Sequence, residues 1–261
     1  CMSAPDTPAT MRGEIAANAR LAWPLAPANV LQMLVHAIDV MFVARLGQEA
    51  LAASSLAVAL FALINYGCTG LTGAVAPLIA AERGRKANAV REIRRSVRMA
   101  LWLAVLCRPA GIGLCMAGER LMRATGQDPV LAARAGEFLV VLAVSLTPML
   151  VGNVLRTFVS AMGRPVFATA ITALAILVNG LGNWLFVFGN LGAPPLGLIG
   201  SAISTIITAV LVVAAYAVAI SRDRRLRRYH VFGRLWRPEW TRLRQMVAIG
   251  MPIGLTVVAE A

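Results

Sequence analysis

The stretches VFATAITALAILVNGLGNWLFVF (166–188) and LGLIGSAISTIITAVLVVAAYAVAI (196–220), joined by GNLGAPP (189–195), decide the fold. No charged side chain occurs from Pro165 to Ser221. A bilayer core takes about 20 mostly apolar residues per helix, and each stretch supplies that length. The same test applied to the rest of the chain predicts four more spans, at 18–43, 50–80, 96–117 and 135–160. A seventh apolar run starts near Met246 and is still running at Ala261. No cap, charge or turn ends it, so the chain reads as a piece of a longer protein, the start of a seventh helix included.

Composition agrees. The 261 residues are 59% hydrophobic and 14% charged, with a mean hydropathy of +0.73. Soluble domains are roughly half apolar and about a quarter charged. A soluble enzyme and a disordered chain are both excluded, the second because so much apolar surface finds burial. The expected class is an all-α integral membrane protein, not an enzyme. Cys1, Cys68, Cys107 and Cys115 form no Cys-x-x-Cys pair and read as small buried hydrophobes. The first apolar run is too long for a cleaved signal.

The net charge of +13 would point to nucleic acid on a soluble chain. Here the position of the cations decides. Twenty of the 25 fall at the N-terminus, after span two, at the end of span four and in 221–244; four fall in the alternate loops, and Arg108 is left inside span three. That asymmetry places the basic side in the cytoplasm. It predicts a cytoplasmic N-terminal tail (1–17), a first bundle (18–220), a basic cytoplasmic loop (221–244) and the opening of a further helix (245–261). No nucleic-acid partner is expected. The arginine run 222–228 is a solvated loop within reach of lipid headgroups.

Ionisable groups at membrane depth default to function. Span one carries Gln32, His36 and Asp39 at i, i+4, i+7, one helix face. The apolar run after Met246 carries Glu260. Span five carries Asn179 and Asn183 one turn apart, with Thr172 seven residues before Asn179. Such an amide pair either chelates a cation through its oxygens, hydrogen-bonds a carboxylate, or serves as interhelical glue. Span two carries Asn65, Thr69 and Thr72 beside Gly67, Gly70 and Gly73, a face suited to lining a cavity. The stripe Ser201, Ser204, Thr205, Thr208 in span six suits close packing first. Pro24, Pro77, Pro109 and Pro148 lie within spans and predict bends. Pro24 to Gln32 and Pro252 to Glu260 have the same spacing of eight residues, a hint that a second six-span unit begins near 245.

With these pieces in place the chain resembles the MATE (multidrug and toxic compound extrusion) transporters, of the NorM kind. The resemblance rests on WPL…Q…IDVMFVARLG in span one, GNVLRTFVSAMGRP at the end of span four, VNGLGNWLFVFGNLGAPPLGLIGSAIST across spans five and six, and IGMPIGLTVVAE in the last run. It implies a twelve-helix transporter in two lobes, here the N-lobe and the start of helix seven. It implies export of amphiphilic cationic xenobiotics in exchange for Na+ or H+, with no bound cofactor beyond that coupling ion. Carried over by position, Asp39 matches the cation-site aspartate, Pro24 the bending proline, Asn179 and Asn183 the polar pair of helix five, Thr205 a threonine of helix six and Glu260 the acidic residue of helix seven. A Na+ ion would lie at Asp39, Asn179 and Asn183, with Gln32, His36, Asn65, Thr69 and Thr205 lining the cavity. The family's second-helix glutamine is absent near Ala81, and Arg108 is unusual. The implied partners are membrane lipid, cationic amphiphiles and the missing C-lobe, in a bacterial inner membrane. A lipid-linked or polysaccharide flippase of the same superfamily is the alternative, as is a non-transporting remnant.

Overall fold

The computed structural model describes residues 25–84 and 89–260, all of whose regular elements are helical. In chain order they are α1 (Leu25–Ala44), α2 (Gln48–Gly73), α3 (Val75–Gly84), α4 (Ala89–Met116), α5 (Gly118–Ala124), α6 (Pro129–Ala143), α7 (Leu146–Ala161), α8 (Pro165–Phe188), α9 (Leu198–Arg222), α10 (Arg224–Arg227) and α11 (Trp240–Glu260). The expected bend at Pro24 lies outside the described residues.

Local chemistry sets these boundaries. Proline has no N–H and its ring collides with the carbonyl four residues earlier. Pro77 therefore disfavours a continuous helix at Gly73, where α2 gives way to α3. Pro148 acts the same way at Val144, where α6 and α7 part at an angle of 49°. The Ser145 hydroxyl caps that break by donating to the Leu142 carbonyl at 2.6 Å. At the start of α6, Asp128 accepts from the Val130 and Leu131 amides, and Pro129 occupies the first turn, where no N–H is needed.

Four units are long and apolar enough to cross a membrane: α2 with α3, α4, α8 and α9. The bent α6–α7 pair adds a fifth if taken as one span. Their apolar faces are only partly covered. In α9, 22% of the apolar window is buried inside the protein. Met33, Leu177, Leu181, Val210 and Leu255 are among many exposed large side chains. Such a surface is stable only in an apolar solvent. The interior core is built from α2, α4, α6 and α7, with Leu139, Leu146, Leu150, Leu155 and Phe158 fully buried.

Two close approaches fix the helices that matter below. A Cβ on Gly182 of α8 would overlap the Ser204 hydroxyl, so α8 and α9 lie unusually near each other. A Cβ on Gly70 of α2 would overlap the Gly254 backbone, and α11 is thereby seated on α2.

The basic segment before α11 is ordered by ion pairs. Of the cations expected in the loop after span two, Arg91, Arg94, Arg95 and Arg98 lie on α4, whose helix starts at Ala89, Arg83 lies on α3, and Arg85 and Lys86 fall outside the described residues. Arg95 and Arg98 both grip Glu239, with Arg98 Nη2 at 2.8 Å and Arg95 Nε at 2.8 Å from its carboxylate. Arg95 also reaches Glu92 at 3.1 Å, and Arg242 of α11 pairs with Glu92. The Trp102 indole donates to the Leu235 carbonyl at 2.5 Å. Arg98 is 7% exposed, so most of this guanidinium is out of water. Its two neighbouring cations hold the Glu239 carboxyl below the usual carboxylate range, the hydrogen bonds from Arg95 contributing most.

Candidate functional site

The polar face of α1 meets α8. Asn183 Nδ2 donates to Asp39 Oδ1 at 2.7 Å and to the side-chain and main-chain oxygens of Asn179, both at 3.1 Å. Ser204 of α9 donates to the Asn179 carbonyl at 3.0 Å. Asn179 and Asn183 are buried, at 1% and 0% exposure, while Asp39 is half-buried. The helical spacing that predicted a shared face for the two asparagines is thus realised with the carboxylate bound to it.

The neighbouring cavity, of about 180 Å³, is lined by Gln32, His36, Asp39, Asn179, Thr172 and Thr205 together with apolar side chains of α7, α8 and α9. Asn65 and Thr69, expected to line a cavity, are not part of its wall. The reason is the seat of α2: its Gly67 and Gly70 edge is turned to α11, and the Thr72 hydroxyl bonds back to its own helix at Cys68 and Thr69. The hydroxyls of Thr172, Thr205 and Thr208 also bond within their own helices, leaving oxygen lone pairs toward the cavity. The Ser/Thr stripe of α9 therefore divides: Ser204 packs against Gly182, and Thr205 faces the cavity. Glu260 belongs to α11, which packs on α2 and α4, with Val258 beside Gly67. Its side chain lies outside the described residues.

One wall residue was missed. The count of cations uses Arg156 only as a marker of the cytoplasmic side. It stands in the cavity wall, with its guanidinium donating to the Gln32 side-chain oxygen. Met149, Gly152, Asn153 and Arg156 follow the i, i+3, i+4, i+7 spacing of one face of α7. That spacing was the available signal.

No cluster of three His, Cys, Asp or Glu side chains occurs among the described residues. The Asp39 carboxylate faces the Asn183 amide nitrogen, and the Asn179 oxygens accept from that same nitrogen. The buried Asn183 Oδ1 has no hydrogen-bond partner among the described residues. It is a buried acceptor open to a hydrogen-bond donor or a cation.

The family model described as MatE matches residues 24–185. The chain belongs to the MatE family. It is similar to the protein described as probable multidrug resistance protein NorM of Mesorhizobium japonicum, 41% identical over 244 residues, 93% of this chain and 52% of that one. The protein of the same description from Brucella suis is 38% identical over 248 residues, again 52% of its length. Among solved structures, the eukaryotic MATE transporter AtDTX14 matches with a TM-score of 0.82 at 17% identity, over 93% of this chain and 52% of that one. A MATE in the bent conformation matches with a TM-score of 0.77 at 23% identity, over 91% and 52%. At those identities the structures show the shared fold. The chain spans about half the length of the curated relatives it matches. MATE proteins are integral membrane transporters, and the apolar helices of this chain are of that kind.

Proposed function

We propose that this chain is the first lobe of a secondary antiporter that exports amphiphilic cationic compounds in exchange for Na+ or H+. Six segments then cross a bacterial inner membrane: α1, the α2–α3 pair, α4, the α6–α7 pair, α8 and α9. The N-terminus and the 221–239 segment lie on the cytoplasmic side, and α11 opens the second lobe. The observation that carries the reading is the Asp39–Asn183–Asn179 cluster, whose Asp39 and Asn179 stand in the cavity wall.

Its physics follows from the geometry. A carboxylate at membrane depth is costly unless it is partnered. Asn183 offers it a single N–H, which leaves capacity for one more partner: an inward-moving ion, a proton, or the cationic group of a substrate. Because the same anion serves all three, their binding is mutually exclusive. A cation that binds only one of two helix arrangements shifts the balance between them. Inward movement of one charge supplies about 2.3 kcal/mol per 100 mV, outward movement of a monovalent cation costs the same, and a one-for-one exchange is therefore driven by the concentration gradient of the coupling ion. His36, one turn from Asp39, adds a polar group on the same face, and Glu260 supplies the acidic group of the second lobe's first helix.

The test is efflux of ethidium from cells lacking their own exporters. This chain, joined in frame to the C-terminal half of the Mesorhizobium relative, should lower ethidium accumulation. Asp39→Asn should abolish that effect with membrane insertion intact. Normal efflux by Asp39→Asn would remove Asp39 from the mechanism.

A further inference from the structure

The cavity that holds Asp39 also holds a cation. Arg156 is half-buried in its wall, and its one hydrogen bond among the described residues goes to the neutral Gln32. None of the ion pairs among the described residues includes Arg156. A guanidinium presents five donors in a planar fork suited to carboxylate or phosphate, and one amide oxygen uses few of them. Asp39 is engaged elsewhere, by Asn183. The two charges are also separated. Gln32 and Asp39 lie seven residues apart on α1, which is about 10 Å along the axis. The rest of the wall is mixed: the apolar Val35, Ile171, Ala175, Ala209 and Val212 stand among His36, Thr172, Thr205 and Thr208, none of them an anion that could pair with Arg156.

We infer that the cavity is bipolar, with Asp39 receiving a cationic group and Arg156, steadied by Gln32, receiving an anionic one, so that its preferred ligands are elongated amphiphilic zwitterions. This deepens the proposed transport function and rests on it. The charge balance decides between ligand classes. A simple cation gains at Asp39 and is repelled by Arg156, and a simple anion meets the reverse. A rigid zwitterion of matching length gains at both ends and keeps its apolar body against the wall. The specificity of the site then lies in the spacing of two charges, and Arg156 is the residue that sets it.

The experiment uses the 261-residue chain in phosphatidylcholine nanodiscs, with binding followed by calorimetry. The probes are 4′-(aminomethyl)biphenyl-4-carboxylate, a zwitterion that spans the separation, and its methyl ester, which keeps only the cation. The zwitterion should bind about tenfold tighter than the ester, the gain of one charge-assisted hydrogen-bonded pair. Arg156→Gln should bring the two to equal affinity, with the ester bound at least as tightly as by the wild type because the repelling charge is gone, and this ester binding shows that the variant is folded. Arg156→Lys, which keeps the charge, should restore part of the preference. Equal affinities in the wild type, or a preference that survives Arg156→Gln, would overturn the inference. Loss of the preference on adding phosphatidylglycerol would assign the anion site to a lipid headgroup and overturn it as well. The transport reading fails separately: ester binding that ignores Asp39→Asn counts against Asp39 as the cation site, whereas the zwitterion–ester comparison reads Arg156 alone.

Discussion

Glu239→Ala should loosen the attachment of α11 to the first bundle. The carboxylate accepts from Arg95 and from Arg98, and Arg98 is 7% exposed. Removing the acid leaves a mostly buried guanidinium without its counter-ion. Breaking a buried pair in this way costs about 3–5 kcal/mol. The Glu239 side chain is 27% exposed, so water recovers part of that, and about 2–3 kcal/mol is the figure for this site. The measurement is a double-mutant cycle by denaturation in mixed micelles, with Glu239→Ala, Arg98→Met and the pair. Arg98→Met keeps the aliphatic stem and removes the charge. Once Arg98 is gone, losing Glu239 should cost much less, giving a coupling of about 2 kcal/mol. A coupling within about 0.5 kcal/mol of zero would refute the clamp as an energetic unit.

The same clamp sets a pH dependence. The Glu239 carboxyl is held below its free value of 4.5, chiefly by Arg95, so its contribution to stability is complete above that pH. As the pH falls below 4.5 and through the depressed folded value, the advantage of the wild type over Glu239→Gln should shrink to nothing; a gap that widens in acid would contradict the assignment. Gly70→Ala should push α11 off α2 at a cost of about 1–3 kcal/mol, read as reduced disulfide cross-linking between Gly67→Cys and Val258→Cys; undiminished cross-linking would show that the helices are not in contact there. Asp128→Ala should cost about 1 kcal/mol through loss of the two amide bonds at the start of α6, and an unchanged unfolding midpoint would discount the cap.

Local rules carried a large share of the architecture. Apolar length located most of the helices, and of the prolines read as bends Pro77 and Pro148 accompany breaks, whereas α4 runs unbroken past Pro109. The face shared by Asn179 and Asn183 was legible because helical spacing is a local property. That Asp39 is their partner was not legible from spacing, since those residues are 144 apart in sequence; only the resemblance tied them together. Two pairings had no signal for one reason. Counting basic residues treats each as a marker of side, so Arg156 and Arg98 carried no expected partner. Their partners, Gln32 and Glu239, sit 124 and 141 residues away, and no local pattern announces such a pairing. Asn65 and Thr69 show the converse. A polar helical face was visible, but which neighbour it would meet depended on the glycine edge of α2.

The clamp on Glu239 changes what the basic segment is. A flexible tether of this length would let α11 search a wide volume, and its effective concentration at the α2 surface would be correspondingly low. With Asp223 paired to Arg164, Leu235 held by Trp102 and Glu239 held by two arginines, the segment behaves as a splint whose far end is already aimed. Helix α11 therefore arrives at α2 in register, and whatever is joined after it inherits that orientation.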